Sequence, residues 1–176
     1  MKLSLRLAHL ILFSLVGLGQ HAQATIAVAF FQKHKSNGEL EKFGPNEPFY
    51  HTALKVPGGW LNAHPYYGVE VMPTLRSHSD VGQVAKILEI NDNINVLAYQ
   101  QYLGAPFDFQ YQWGGSKFYC TEVIGLVLGI SPRPMTCDPH YWPSNYVKYN
   151  GQVGLSPMEL YRELLERGAV EKPLEE

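Results

Sequence analysis

The stretch from Trp113 to Leu128 constrains this chain more than any other. Trp113-Gly114-Gly115-Ser116-Lys117-Phe118 is a polar, glycine-bearing loop, and Val123-Ile124-Gly125-Leu126-Val127-Leu128 is apolar at nearly every position. The loop therefore runs straight into an apolar helix, and Cys120 stands at the join, where unpaired N–H groups and the positive dipole end converge. A helix N-terminus lowers a cysteine pKa from ~8.5 toward ~4–7, and the thiolate is the form that attacks carbonyls. Cys120 is the candidate nucleophile, and a buried or disulfide-bonded cysteine is the competing reading.

The first 24 residues are set apart before any fold argument. Lys2 and Arg6 precede an apolar run from Leu7 to Gly19, and Ala22-Gln23-Ala24 supplies a small-x-small cleavage pattern, so residues 1–24 read as a secretory signal peptide. That run is short for a membrane span, which needs ~20 residues, and no later stretch is longer. The expectation is a single exported domain over 25–176, periplasmic or secreted. Removal of the leader leaves 12 Lys+Arg against 16 Asp+Glu, a formal charge of −4, which gives nucleic acid nothing to bind. Roughly 150 residues can bury a core without disulfides. The chain has two cysteines, Cys120 and Cys137, and in an oxidising compartment they could bridge, which would make the chain a disulfide-stapled binding or inhibitory module without catalysis. The Cys120 helix carries the chain ~15 Å away before Cys137 is reached, against a limit of ~7 Å between bridged Cα atoms.

Along the mature chain, Thr25–Phe31 reads as a first strand and Lys33–Pro48 as a surface loop. Phe49–Val56 and Trp60–His64 read as a hairpin about Pro57-Gly58-Gly59. With Pro57 and Gly58 as the two central residues, facing positions sum to 115, which sets His51 opposite His64 on one face. Gly68–Met72 and Val81–Ile90 read as further strands. Asn91 or Asp92 is expected to cap a helix with Ile94, Leu97, Ala98 and Tyr102 on one side, closed by Gly104 and Pro106. Ser131–Asn145, with four prolines, is expected to be irregular, and Tyr146–Val153 a last strand. Ser156, Pro157 and Glu159 spell a helix start, with Leu155 and Leu160 as its staple; Leu160, Leu164 and Leu165 would face inward until Gly168.

Thiol catalysis of acyl transfer needs a thiolate, an imidazole to carry the proton, a polar group to orient that imidazole, and N–H donors for the oxyanion. The chain offers Cys120 as nucleophile, His51 as base, His64 as orienter and the Cys120 amide as oxyanion donor. Tyr111, Trp113 and Tyr119 lie near the nucleophile in sequence and could line a substrate cleft, with plain core packing as the other use. No cofactor is called for. Zinc on Cys120, His51 and His64 is chemically allowed, but the short ligand spacings typical of zinc sites are missing. His78 and His140 read as solvated loop residues, with His140-Tyr141-Trp142 lining a cleft as the other use.

The ordered set of His51, His64 and Tyr119-Cys120-Thr121-Glu122 opening an apolar helix resembles the circularly permuted papain-like (NlpC-type) cysteine hydrolases. Within them it is most similar to the YiiX-like branch, with lecithin–retinol acyltransferase-like proteins as cousins. Gly104-Ala105-Pro106-Phe107-Asp108 resembles that family's lead-in to the cysteine helix, and Ser156-Pro157 its closing segment, so the likeness spans Phe49 to Gly168. It implies an α+β fold in which an antiparallel sheet packs against the helix carrying the cysteine at its N-terminus. The implied activity is that of a cysteine peptidase or amidase, cleaving an amide, peptide or ester through a thioacyl intermediate, with peptidoglycan peptides or a lipid acyl group as substrate. In that branch the third catalytic position is commonly glutamate. Here the matching place holds Asn62-Ala63-His64, so Asn62 and Glu70 stand behind His64 for the role. Glu122 and Tyr119 are supporting candidates, Glu122 also serving as dipole compensation.

Overall fold

The computed structural model describes residues 24–92, 94–142 and 144–174. The expected leader lies outside these residues except for Ala24, which already belongs to a strand. Alternating and β-branched residues build β1 (Ala24–Gln32), β2 (His51–Val56), β3 (Gly59–His64), β4 (Gly68–Met72) and β5 (Gln83–Asp92). The helix α1 (Cys120–Leu128) follows, then the two-residue strands β6 (Arg133–Pro134) and β7 (Val153–Gly154), α2 (Pro157–Glu166) and β8 (Val170–Lys172). The large sheet has six strands in the order β4-β3-β2-β1-β5-β8, all neighbours antiparallel, so the fold is α+β.

The hairpin register is the expected one. Leu54 faces Leu61, Lys55 faces Trp60 and Val56 faces Gly59. Gly58 takes φ 90°, which suits the second central residue of a Pro-Gly turn. Gly59 follows at φ 157°, where a Cβ would meet the Met72 carbonyl oxygen at 2.0 Å, so only glycine lets β4 close on this corner.

The sheet carries a different apolar layer on each face. Leu54, Val56, Leu61 and Ala63 pack with Val123, Ile124 and Val127 of α1 and with Leu160 and Leu164 of α2. Ala29, Phe31, Ala53, Met72 and Val81 form a smaller cluster on the other side. Successive strand residues alternate between these layers.

Three expectations are corrected. Asn91 and Asp92 do not cap a helix, because β1 keeps both in the β5 ladder opposite Thr25 and Ala24. The cap is Asn95, whose side chain accepts from the Leu97 amide, and the segment Val96–Tyr102 is a 3-10 helix. Tyr146–Val153 is not a strand: Ser144–Tyr149 is another 3-10 helix, and only Val153 and Gly154 pair, with Pro134 and Arg133. Leu165 is 40% exposed, and Tyr161 takes its place on the inner side of α2. The start of α2 is as expected, with Ser156 accepting from the Glu159 amide at 3.2 Å and Glu159 accepting from the Ser156 amide at 3.0 Å.

Candidate active site

Cys120 is the first residue of α1, and the segment before it is tied down from two directions. The Phe118 amide donates to the Pro106 carbonyl at 3.0 Å and the Asp108 amide to the Phe118 carbonyl at 3.1 Å, so the lead-in from Gly104 runs alongside the residues that open the helix. Buried Asp108 accepts from the amides of Gln110 at 2.9 Å and Gln112 at 2.6 Å, which curls the next loop. Glu122, 0% exposed, accepts from the Gly114 amide at 2.7 Å and from the Tyr119 amide at 3.4 Å. It is therefore a buried clamp between the glycine loop and the helix, and more than a compensating surface charge. Burial pushes its carboxyl up to about 7 against those two amide bonds. Tyr119 is buried too, and its hydroxyl accepts from the Leu155 amide at 3.0 Å.

The thiol environment overturns one expectation. Cys120 is 8% exposed, and burial raises its thiol pKa above the ordinary range. The hydroxyl and amide of Thr52 and the amides of Thr121 and Cys120 oppose that rise without cancelling it. Desolvation outweighs the helix terminus because the charged form loses its water on every side. Both cysteines are free, so the anticipated alternative of a Cys120–Cys137 bridge is not what the fold forms.

His51 opens β2 next to Thr52, is 4% exposed, and has its ring edge-on to Phe31 at 5.5 Å. Its Nε2 lies 3.2 Å from Asn62 Oδ1. Since that oxygen only accepts, Nε2 carries the proton and Nδ1 is the free lone pair. Burial first, then the neighbouring His64, pushes the imidazole down to about 3, so the ring is neutral at physiological pH. Asn62, 0% exposed, turns its amide nitrogen to Glu70 at 3.5 Å.

His64 does not orient His51. Its Nε2 lies 3.1 Å from Asp80 and its Nδ1 accepts from the Tyr66 amide at 3.1 Å, so both ring nitrogens are engaged elsewhere and the orienting role passes to Asn62. Cys120 and His51 meet β2 from different sides: the sulfur stands against Thr52 on the α1 side, whereas the imidazole lies with Phe31 and Ala53. No hydrogen bond joins the two among the described residues.

Tyr111 and Trp113, the candidate cleft residues, differ in use. Trp113 packs on α1, where a Cβ on Gly125 would meet its ring at 2.9 Å, so it is a half-buried residue that covers the core. Tyr111 is near Cys120 and belongs to an aromatic cluster: it meets Tyr119 at 5.3 Å, Trp142 at 5.4 Å and Tyr146 at 5.6 Å. Trp142 continues the cluster to Phe43 at 4.7 Å, and Phe43 stacks on Tyr50 at 5.5 Å. Trp142 Nε1 donates to the Phe43 carbonyl at 2.8 Å, joining segments 99 residues apart. Sequence reasoning missed Thr52 and Phe43, because only folding brings them to the cysteine, whereas Trp142, with His140 and Tyr141, was already a candidate for lining a cleft. It also read His78 as solvated, whereas His78 bonds Glu70 at 2.7 Å.

The chain matches no protein-family model, no curated protein and no solved structure. Among the described residues no helix is long and apolar enough to cross a membrane.

Proposed function

We propose that this protein is an exported cysteine hydrolase of the circularly permuted papain-like kind, cleaving an amide or peptide bond. The observation that supports this best is Cys120 as the first residue of α1, its sulfur among the amides of Thr52, Thr121 and Cys120, with the buried His51–Asn62 pair on the same strand β2. An imidazole held by an asparagine oxygen at one nitrogen keeps the other as an acceptor for a thiol proton. In the reaction His51 Nδ1 takes the Cys120 proton, and the sulfur adds to the substrate carbonyl. The amides of Cys120 and Thr121 face the oxyanion, and the leaving amine departs with the proton from His51. Water then cleaves the thioester by the reverse proton path. Thiol and imidazole are both neutral at rest and lie on different sides of β2, so this transfer requires the start of β2 itself to turn when substrate enters, beyond any side-chain rotation. Peptidoglycan peptides are the favoured substrate class, because the apolar run and small-x-small pattern before Thr25 read as an export signal to the compartment that holds them.

The test is hydrolysis of muropeptides, with a simple ester as a second substrate, by wild type, Cys120→Ala and Asn62→Ala. Loss of Cys120 should cut turnover by on the order of 10³-fold or more with thermal unfolding unchanged. Equal activity of Cys120→Ala and wild type would dispose of the reading.

A further inference from the structure

We propose that His64, His78 and Asp80 form a site for one zinc-class divalent cation, on the sheet face opposite α1 and separate from Cys120. One ligand atom from each of the three lies within 4.8 Å of the others. They come from the end of β3, from the loop after β4 and from the 3-10 turn Ser79–Val81. Two imidazoles and one carboxylate suit zinc and its neighbours in the first transition row.

The surroundings of each ring fit the role. His78 Nε2 donates to Glu70 Oε1 at 2.7 Å, which leaves Nδ1 as the ligand atom and supplies the carboxylate–histidine support usual behind a metal-bound imidazole. His64 Nε2 lies 3.1 Å from an Asp80 carboxylate oxygen, close to the separation of two donors sharing one ion at bond lengths of ~2.0–2.2 Å. The rings are held in place by stacking: His64 and His78 centroids are 4.5 Å apart, and Tyr67 covers both at 4.8 Å. The His64 side chain is 1% exposed and that of Asp80 50%, so the ion would have protein behind it and water in front.

Binding has a tautomer requirement. Without an ion, His64 Nδ1 accepts from the Tyr66 amide, so its proton sits on Nε2. Ligation through Nε2 moves that proton to Nδ1, and the Tyr66 amide must then turn to solvent. Tyr66 is 82% exposed, so water is at hand to receive it.

The experiment is calorimetric titration of chelator-stripped full-length protein with zinc chloride, followed by the absorption spectrum with cobalt(II). One equivalent should bind, the cobalt spectrum should lack a sulfur-to-metal charge-transfer band, and zinc should raise the unfolding temperature. His78→Ala and Asp80→Ala should each weaken binding at least about tenfold, and Glu70→Gln about 10- to 100-fold, as loss of a support behind a ligand does. Cys120→Ala should bind as wild type does. Thermal unfolding without metal shows whether each variant is folded. Absence of stoichiometric binding, a thiolate band that Cys120→Ala removes, or undiminished affinity in both His78→Ala and Asp80→Ala would overturn the site.

Discussion

Two buried ionisable side chains set opposite pH limits on this protein. His51 is neutral in the fold down to about 3, whereas an unfolded histidine takes up a proton near 6.5. Below 6.5 the unfolded chain therefore binds more protons, and stability falls with pH by roughly 1.4 kcal/mol per unit, about 2 kcal/mol at pH 5. Glu122 acts in the other direction. Its carboxyl stays protonated in the fold up to about 7 against 4.5 unfolded, so stability falls as pH rises through that interval. Urea unfolding at pH 5 and pH 7 should show His51→Gln losing the acid-side decline and Glu122→Gln losing the alkaline one. A His51→Gln profile parallel to wild type from pH 7 to pH 5 would refute the assignment to His51. At this scale the sequence pointed to Cys120 as nucleophile, His51 as base and His64 as orienter with Asn62 behind it, and it is Asn62 that the fold sets against the His51 ring. Sequence reasoning took the wrong direction for the thiol, because a helix start is visible in sequence and desolvation is not.

The helices hold the site through a few positions whose substitution has a calculable sign. Ser156 caps α2 and its hydroxyl also donates to Glu47 at 3.0 Å, so Ser156→Ala should cost about 1–2 kcal/mol, read from denaturant unfolding. Gly125→Ala adds a methyl 2.9 Å from the Trp113 ring and 3.0 Å from Leu155. Overpacking of that kind costs about 1–3 kcal/mol, against a helix-propensity gain of about 1, so a net loss is expected and an increase in unfolding temperature would contradict it. The α2 start was legible because Ser156, Pro157 and Glu159 act through neighbours three residues away. The Val96–Tyr102 segment was misread because β1, more than 60 residues earlier, claims Asn91 and Asp92 for a sheet ladder.

Over the whole molecule, distant segments close over the cysteine. Phe43 and Tyr50 from one loop and Trp142 and Tyr146 from another interlock near Cys120, which is buried beneath. Alkylation by iodoacetamide at pH 7 should be slow in the native protein. Trp142→Ala should accelerate it several-fold by loosening that cover, as followed by mass spectrometry; a rate unaffected by the substitution would show that the cover does not limit access. The sequence by itself determined the hairpin register, the capped start of α2 and the residue at the head of α1, since each depends on turn and cap chemistry within a few positions. Only the tertiary structure decided that His64 turns to Asp80 and leaves His51 to Asn62, and that water is stripped from the thiol. It also gathered His64, His78 and Asp80 within 4.8 Å. Those outcomes depend on which face each strand residue presents and on what long-range packing excludes, and neither is encoded in local spacing.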